Sequence, residues 1–407
     1  RAVCYAFADY LCYLAGDYVD MADNNYVSVF NSESSELAPG VTQEIKQATS
    51  ADNKQMVYYI ATADITRNDV NVYANYNNND PAAGWEMSRV LDQANAAQEK
   101  YGNPESEHYI ENYNVVASTN GAGFNMSTGE PGGLLVMGGV EYHSINSSGF
   151  FGILKDGTAV IGTTEEYKTK YKDQVQEAIA GFGDVLIKDG EIVITKTTNY
   201  YNDRASRTAV GITKTGKVVL MVLDGRQEPV SCGGSMIEIA QIMLDAGCVH
   251  AINLDGGGSS TFISKRVGEE NFEMRSVPCD GAQRPTAHGI FIASNVAPTG
   301  ILNNVNVEAN YDIFAPKTVY NFTAEAIDTH GYAMEMPADA SWALSDDSFG
   351  TIVDGKFVSN GKKGTVEVQV LSGGKVVGTK TITVADPAVF KLSATSTVVP
   401  YSTPEKI

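Results

Sequence analysis

One carboxylate, three glycines and three hydroxyls follow one another in NLDGGGSST, Asn253 to Thr261. Asp255 has the chemistry of a base, a water-positioning group or a stabiliser of positive charge, and Ser259, Ser260 and Thr261 can each donate a hydrogen bond. Gly256, Gly257 and Gly258 cost backbone entropy and give no side chain to pack, so something must come very close to the main chain there. Consecutive glycine N–H groups make a concave anion nest, and phosphate is its natural guest. A second acid is tied to the first by pattern, because Leu223-Asp224-Gly225 is repeated in Leu254-Asp255-Gly256. One Asp-Gly alone is ordinary turn chemistry, but two at matching strand ends bring two carboxylates to one edge.

An anion site needs cations, and the chain is acidic: 29 Lys and Arg against 49 Asp and Glu give a net charge of −20. That charge repels nucleic acid and anionic lipid over most of the surface and argues against general nucleic-acid binding. The local candidates are Arg204 and Arg207 in NDRASRTAVG, Arg226 in DGRQ and Arg284 in GAQRPTAHG, with Asp280 and His288 flanking the last. Arginine suits forked phosphate contacts. Familiar alternatives fail. GITKTGKV has Walker A spacing, yet Val218 stands where a Ser or Thr must hold magnesium. No glycine follows Ser259 at the offset of a nucleophile elbow, and no strand runs into G-x-G-x-x-G.

Five cysteines (Cys4, Cys12, Cys232, Cys248, Cys279) lack C-x-x-C spacing, and five histidines form no metal pattern. No cofactor is required by the sequence. Its Asp- and Asn-rich loops permit calcium, but no EF-type spacing demands it.

The elements that must position these residues come next. KVVLMVL reads as a buried strand, Ser235 with Glu238 as a capping box opening a helix through Leu244, and VHAINL as a second strand. Strand, helix, strand predicts a right-handed βαβ unit with two parallel strands whose C-terminal ends, both Leu-Asp-Gly, face the same edge. ILKDGTAVIG, VLIKDGEIVI and GITKTGKVVLMVL predict hairpins. Tyr167, Tyr171, Val175, Ile179 and Phe182 fall on one helical face, as do Phe7, Leu11, Leu14, Tyr18 and Met21. From about Gly300 short alternating runs such as GTVEVQVL read as a β-sandwich. The expected class is therefore α+β, a mixed α/β sheet domain with many hairpins, followed by an all-β sandwich. The expected divisions are a helical extension over 1–34, a large domain over 35–297, the sandwich over 298–386 and the start of a further module over 387–407. The chain opens at Arg1 and stops in mid-pattern at Ile407, which reads as a piece of something longer. No apolar run approaches the ~18 residues of a membrane span.

TNGAGFNMSTGEPGG, SRTAVGITKTG, VLDGRQ and AINLDGGGSSTF, in that order, resemble the phosphodiester glycosidase family, over roughly Ser35 to Ser294. The resemblance implies hydrolysis of the bond between a sugar's anomeric carbon and a phosphodiester, with an α-N-acetylglucosamine-1-phosphodiester-like substrate. Carried over by motif, Asn120 and Gly121 fall on the family's Asn-Gly, Glu130 on its Gly-Glu, Arg207 and Thr208 on its Arg-Thr, and Asp255 with Gly256 to Gly258 on its Asp-Gly run. Two departures bear on substrate identity: Gly123 stands where many relatives have an aromatic, and His288 where bacterial relatives commonly have Asn. The first widens the sugar pocket; the second changes what is held beside Arg284. Bacterial relatives often carry sandwich modules, so an Ig-like module and an extracellular or cell-surface setting are implied, with phosphorylated glycan as partner.

On this reading Glu130 is nucleophile or general base at the anomeric carbon, and Asp255 supports the oxocarbenium ion or positions water. Arg207 neutralises the departing phosphate with the glycine nest, Asp224 orients Arg207 or Arg226, and Thr208, Arg226, Ser259, Ser260, Thr261, Asp280, Arg284 and His288 bind substrate. Two other readings share the site: a non-catalytic binder of phosphorylated glycans, and a phosphodiesterase cutting P–O.

Overall fold

The computed structural model describes residues 26–146, 149–183, 185–269 and 271–386. The helix expected over Phe7 to Met21 and the fragment 387–407 lie outside the described residues. The helical extension assigned to 1–34 does not reach its expected end, because Val27–Ala38 is already the edge strand of the largest sheet, paired with Val41–Ser50.

That sheet has eight strands in the order Val27–Ala38, Val41–Ser50, Gln55–Ala63, Val218–Leu223, Arg207–Thr213, Cys248–Asn253, Val185–Lys188 and Glu191–Ile192. Two five-stranded sheets pack with it. One is built around Val175–Ala180 and the other around Asn114–Asn120 and His288–Ser294. Tyr59, Val210, Val222 and Ile252 of the large sheet share one buried core with Val116, Ile290 and Phe262 of the second and Leu135, Phe151 and Ile179 of the first. The other face of the large sheet is covered by the helix Met236–Asp245, where Met221 and Leu223 meet Ile239 and Met243. A strand covered on both faces needs no polar alternation, which is why VVLMVL is apolar throughout.

The fold is β-rich, further toward strand than the mixed class expected; among the described residues only Val90–Gly102 and Met236–Asp245 are α-helices longer than four residues. The helix expected over Tyr167 to Phe182 is a correction. A short turn over Thr164–Tyr171 gives way to the strand Val175–Ala180, paired with Phe150–Leu154 and Leu135–Met137. A four-residue spacing keeps to one face of a helix, but it also keeps to one face of a strand. The three Asp-Gly and Thr-Gly hairpins form where expected.

The strand–helix–strand reading holds with one change. Val218–Leu223 and Cys248–Asn253 are parallel, yet Arg207–Thr213 runs between them, antiparallel to both. Both Leu-Asp-Gly ends therefore meet at one edge, on either side of the start of the Arg207 strand.

Residues 302–384 form three small sheets around a separate core that includes Val305, Phe322, Phe357, Val368 and Ile382. No helix among the described residues is long and apolar enough to cross a membrane.

The capping box is present: the Ser235 hydroxyl accepts from the Glu238 N–H at 3.5 Å and the Glu238 carboxylate accepts from the Ser235 N–H at 2.8 Å. Ser235→Ala is expected to cost about 1 kcal/mol, read as a lower urea midpoint with an unchanged slope.

Candidate functional site

The glycines are explained first by the chain itself. A Cβ on Gly225 would collide with the Ser206 amide, one on Gly256 would stand 2.7 Å from the Ser206 carbonyl oxygen, and one on Gly233 (φ +83°) would meet the Ala205 carbonyl at 2.5 Å. Two loops, one carrying Gly225 and Gly233 and the other Gly256, thus close on Ala205 and Ser206, the two residues that lead into Arg207. The open amide nest expected over Gly256 to Gly258 is corrected by the same contacts. Gly256 N–H donates to Asp255 Oδ1 (2.9 Å), Gly257 N–H to the Ser206 carbonyl (2.8 Å), and Ser259 and Ser260 N–H to the carbonyls of Gly256 (3.3 Å) and Gly257 (3.1 Å). These four donors are taken up by the protein itself, at and around the 3₁₀ turn Gly257–Ser259. Gly258 serves differently: the Asp280 and Arg284 side chains lie where its Cβ would be.

Above this loop is a cleft of about 510 Å³, lined by Asp255, Gly256 to Gly258, Arg204, Arg207, Arg226 and Arg284, with Asn199, Tyr200, Asp203 and Ala205. Arg204 is spoken for, since its guanidinium binds Glu238 (2.6 Å) and Asp52 (2.7 Å). The other three arginines are not equally tied. Arg207, 2% exposed, donates Nε to the Gly234 carbonyl (3.0 Å) and Nη2 to the carbonyls of Tyr200 and Asp203 (2.8 Å each), and lies 4.9 Å from the Tyr200 ring centroid. Its charge meets carbonyl dipoles and an aromatic face, and no carboxylate among the described residues forms an ion pair with it. Burial lowers its pKa from the ordinary arginine value; the Arg226 charge acts the same way, and Tyr200 and Asp203 oppose it. The Arg226 guanidinium faces Gly257, and its backbone sits at φ +59°, a left-handed conformation costly for a side chain of this size. Arg284 pairs with Asp280 (2.6 Å) and reaches Ser259 Oγ at 3.5 Å.

Asp255 brings the acid. Burial pushes its carboxyl above the ordinary aspartate value, against the Ser259 hydroxyl, the Gly256 amide and the Arg284 charge, which pull the other way.

Several expected substrate contacts are scaffolding instead. Asn120, 1% exposed, accepts from the Thr208 hydroxyl (2.8 Å) and the Thr261 N–H (3.2 Å) and donates to the Asp255 carbonyl (2.9 Å), while Thr208 also reaches Ser260 Oγ (3.2 Å). This buried network holds the Asp255 loop from beneath, so Asn120, Thr208, Ser260 and Thr261 do not line the cleft. Gly121 receives the Asp255 N–H on its carbonyl (3.0 Å) and donates its own N–H to the His288 carbonyl (2.8 Å). The His288 ring is fully buried against Gly121, not beside Arg284 as expected, and burial depresses its pKa to about 4.

Asp224 is corrected likewise. It orients neither Arg207 nor Arg226; its carboxylate accepts from the Tyr59 hydroxyl and the Val277 N–H, 3.0 Å each. It thereby moors the segment carrying Asp280 and Arg284 to the sheet. Burial pushes its pKa up to about 7.

Glu130 does not line the cleft. It sits half-exposed on the hairpin joining Gly123 to Gly132, 3.5 Å from His143 Nε2, and Trp85 stands edge-on to His143 at 6.0 Å. Tyr200, Asp203, His143 and Trp85 were missed by sequence reasoning. The pair Tyr200-Tyr201 just before Arg204 and Arg207 was the signal available for the first. Among the described residues, no group of three or more His, Cys, Asp or Glu side chains gathers to hold a metal.

Residues 113–293, which contain Asp255, Arg207, Arg226 and Arg284, match the model of the phosphodiester glycosidase family. Among curated proteins it is similar to N-acetylglucosamine-1-phosphodiester alpha-N-acetylglucosaminidase of Bos taurus, 34% identical over 181 residues, 40% of this chain and 33% of that protein. The Homo sapiens protein of that name is 32% identical over 184 residues, with the same shares. The chain thus spans about a third of the length of the curated relatives it matches. Among solved structures it is similar to the zebrafish N-acetylglucosamine-1-phosphodiester alpha-N-acetylglucosaminidase catalytic domain auto-inhibited by pro-peptide, with 22% identity and a TM-score of 0.48 over 66% of this chain and 88% of that one.

Two measurements follow from this geometry. Arg226→Gly removes a cation at a backbone conformation glycine prefers, so it should leave stability intact and weaken inorganic phosphate binding about tenfold by calorimetry. Unchanged affinity would remove Arg226 from the anion site. Asp224 is neutral in the fold up to about pH 7 but ionised above the ordinary aspartate value of 3.8 when unfolded. The unfolded chain therefore binds fewer protons across that window and stability falls as pH rises through it. Asp224→Asn should flatten that fall in urea titrations run between those pH values.

Proposed function

We propose that the chain is a hydrolase that cleaves the bond between a sugar's anomeric carbon and a phosphodiester, on a substrate like an α-N-acetylglucosamine 1-phosphodiester. The observation that carries this reading is the cleft in which Arg207, bonded to carbonyls and not to a carboxylate, lines the wall with Arg226, Arg284 and Asp255. The match of residues 113–293 to the phosphodiester glycosidase family supports it.

A phosphodiester departs as a weak base, so protonation of the leaving group matters less than neutralising its charge. Arg207, Arg226 and Arg284 take that role, preorganised by the carbonyls, the loop and Asp280 that hold them. Asp255 stabilises the oxocarbenium ion as the C–O bond breaks, or directs water onto the anomeric carbon. Glu130 acts from the adjoining hairpin as the second carboxylate, with His143 beside it. The unit from Val27 to about residue 297 is the catalytic domain, and residues 298–386 are an Ig-like sandwich that spaces it from a surface. The setting is extracellular and bacterial.

Hydrolysis of an α-N-acetylglucosamine 1-phosphodiester in isotopically labelled water tests the reading. Label in the released sugar is expected. Label in the phosphate would mean P–O cleavage, and no turnover would leave a binding protein. Asp255→Asn should lower turnover at least a hundredfold, on the order seen when one preorganised charge-stabilising group is lost. Turnover within a few-fold of wild type would take Asp255 out of the mechanism.

A further inference from the structure

Large aromatic rings are mostly buried in this protein, yet Phe182 is 39% and Tyr200 37% exposed, and the two stand edge to face with centroids 5.8 Å apart. Their positions are not left to chance. Asn253, itself 1% exposed, donates Nδ2 to the Phe182 carbonyl (2.6 Å) and to the Tyr200 hydroxyl (3.0 Å), and its carbonyl accepts the Phe182 N–H (2.8 Å). One buried amide, two residues before Asp255, therefore fixes both rings relative to the acid.

Each ring also touches one of the two halves of the candidate site. Tyr200 lines the arginine cleft, with Arg207 at 4.9 Å from its ring centroid and bonded to its carbonyl. Phe182 lies over Gly123, where a Cβ would collide with its ring. Gly123 in turn opens the hairpin that carries Glu130, its carbonyl accepting the Gly132 N–H at 2.8 Å. Contacts thus run from Arg207 through Tyr200 and Phe182 to Gly123 and the Glu130 hairpin, without a charged side chain between the rings.

We infer that Phe182 and Tyr200 are the floor of the sugar subsite, receiving the C–H face of a pyranose ring whose anomeric phosphate lies in the arginine cleft. This rests on the reading that the cleft takes the phosphate. A pyranose offers an apolar face of C–H groups and a rim of hydroxyls, and exposed aromatic surface held rigid by hydrogen bonds binds such a face at low entropic cost. Gly123 is the specificity element: without a side chain there, the Phe182 ring can lie down. The space left at Gly123 is thus filled by an aromatic from the loop after the strand Val175–Ala180, and does not simply widen the pocket.

The test titrates three probes against the whole chain: inorganic phosphate, α-N-acetylglucosamine 1-phosphate and the uncharged methyl α-glycoside of N-acetylglucosamine. Wild type is expected to bind all three. Phe182→Ala should weaken the sugar phosphate and the methyl glycoside about tenfold each and leave inorganic phosphate unchanged. Gly123→Ala, which displaces the ring while keeping it, should show the same pattern, and Phe182→Tyr should restore sugar affinity to near wild type. Methyl glycoside binding that is absent in wild type, or equal in wild type and Phe182→Ala, would overturn the inference whatever phosphate does. If inorganic phosphate fails to bind while the glycoside binds through Phe182, the phosphate reading fails and the aromatic subsite stands. Unfolding midpoints of each variant separate loss of the floor from loss of the fold.

Discussion

The main chain at Ala205 and Ser206 passes so close to two loops that Gly225, Gly233 and Gly256 can carry no side chain there. Everything at the site follows from that crowding. The Arg207 strand enters the large sheet between two parallel strands, and the crowded segment is where all three meet. Close packing fixes the start of that strand, hence the Arg207 guanidinium, and the Ser206 carbonyl captures the Gly257 N–H, hence the turn that aims Asp255. Gly256 thus brings backbone to backbone, while Gly257 and Gly258 leave room for the Arg226, Asp280 and Arg284 side chains.

The electrostatics are local. In a chain of net charge −20, four arginines line one cleft, and the most buried of them is satisfied by carbonyls and a ring. A carboxylate partner would have cancelled it, as Glu238 and Asp52 cancel Arg204. A larger hollow of about 640 Å³ lies where the 266–269 loop meets the strands Leu302–Glu308 and Lys375–Val384. Its arginine, Arg266, is already paired with Glu33 at 2.9 Å, so size alone does not mark the site.

Much of this was legible in the sequence. The twin Leu-Asp-Gly ends, the capping box and the hairpin turns are local patterns whose geometry is set by neighbours in the chain, and each formed. The intervening Arg207 strand was not legible, because which strand lies between two others is decided by sheet pairing at long range. The same limit explains Asp224 and His288. Both sit beside cleft-lining residues in sequence, but their side chains turn inward to Tyr59 and Gly121, contacts that no local spacing encodes. Val175–Ala180 read as helix because its apolar spacing fits both periods, and partners in two neighbouring strands decided for sheet.

The central claim is that phosphate is held by Arg207, Arg226 and Arg284 beside Asp255. Soaking crystals with a sugar 1-phosphate and locating phosphorus by its anomalous scattering tests it most directly. A peak inside the cleft, within hydrogen-bonding reach of at least two of those guanidinium groups, is the predicted result. A single well-occupied peak at the Glu130–His143 hairpin, or in the hollow beside Arg266, would contradict it.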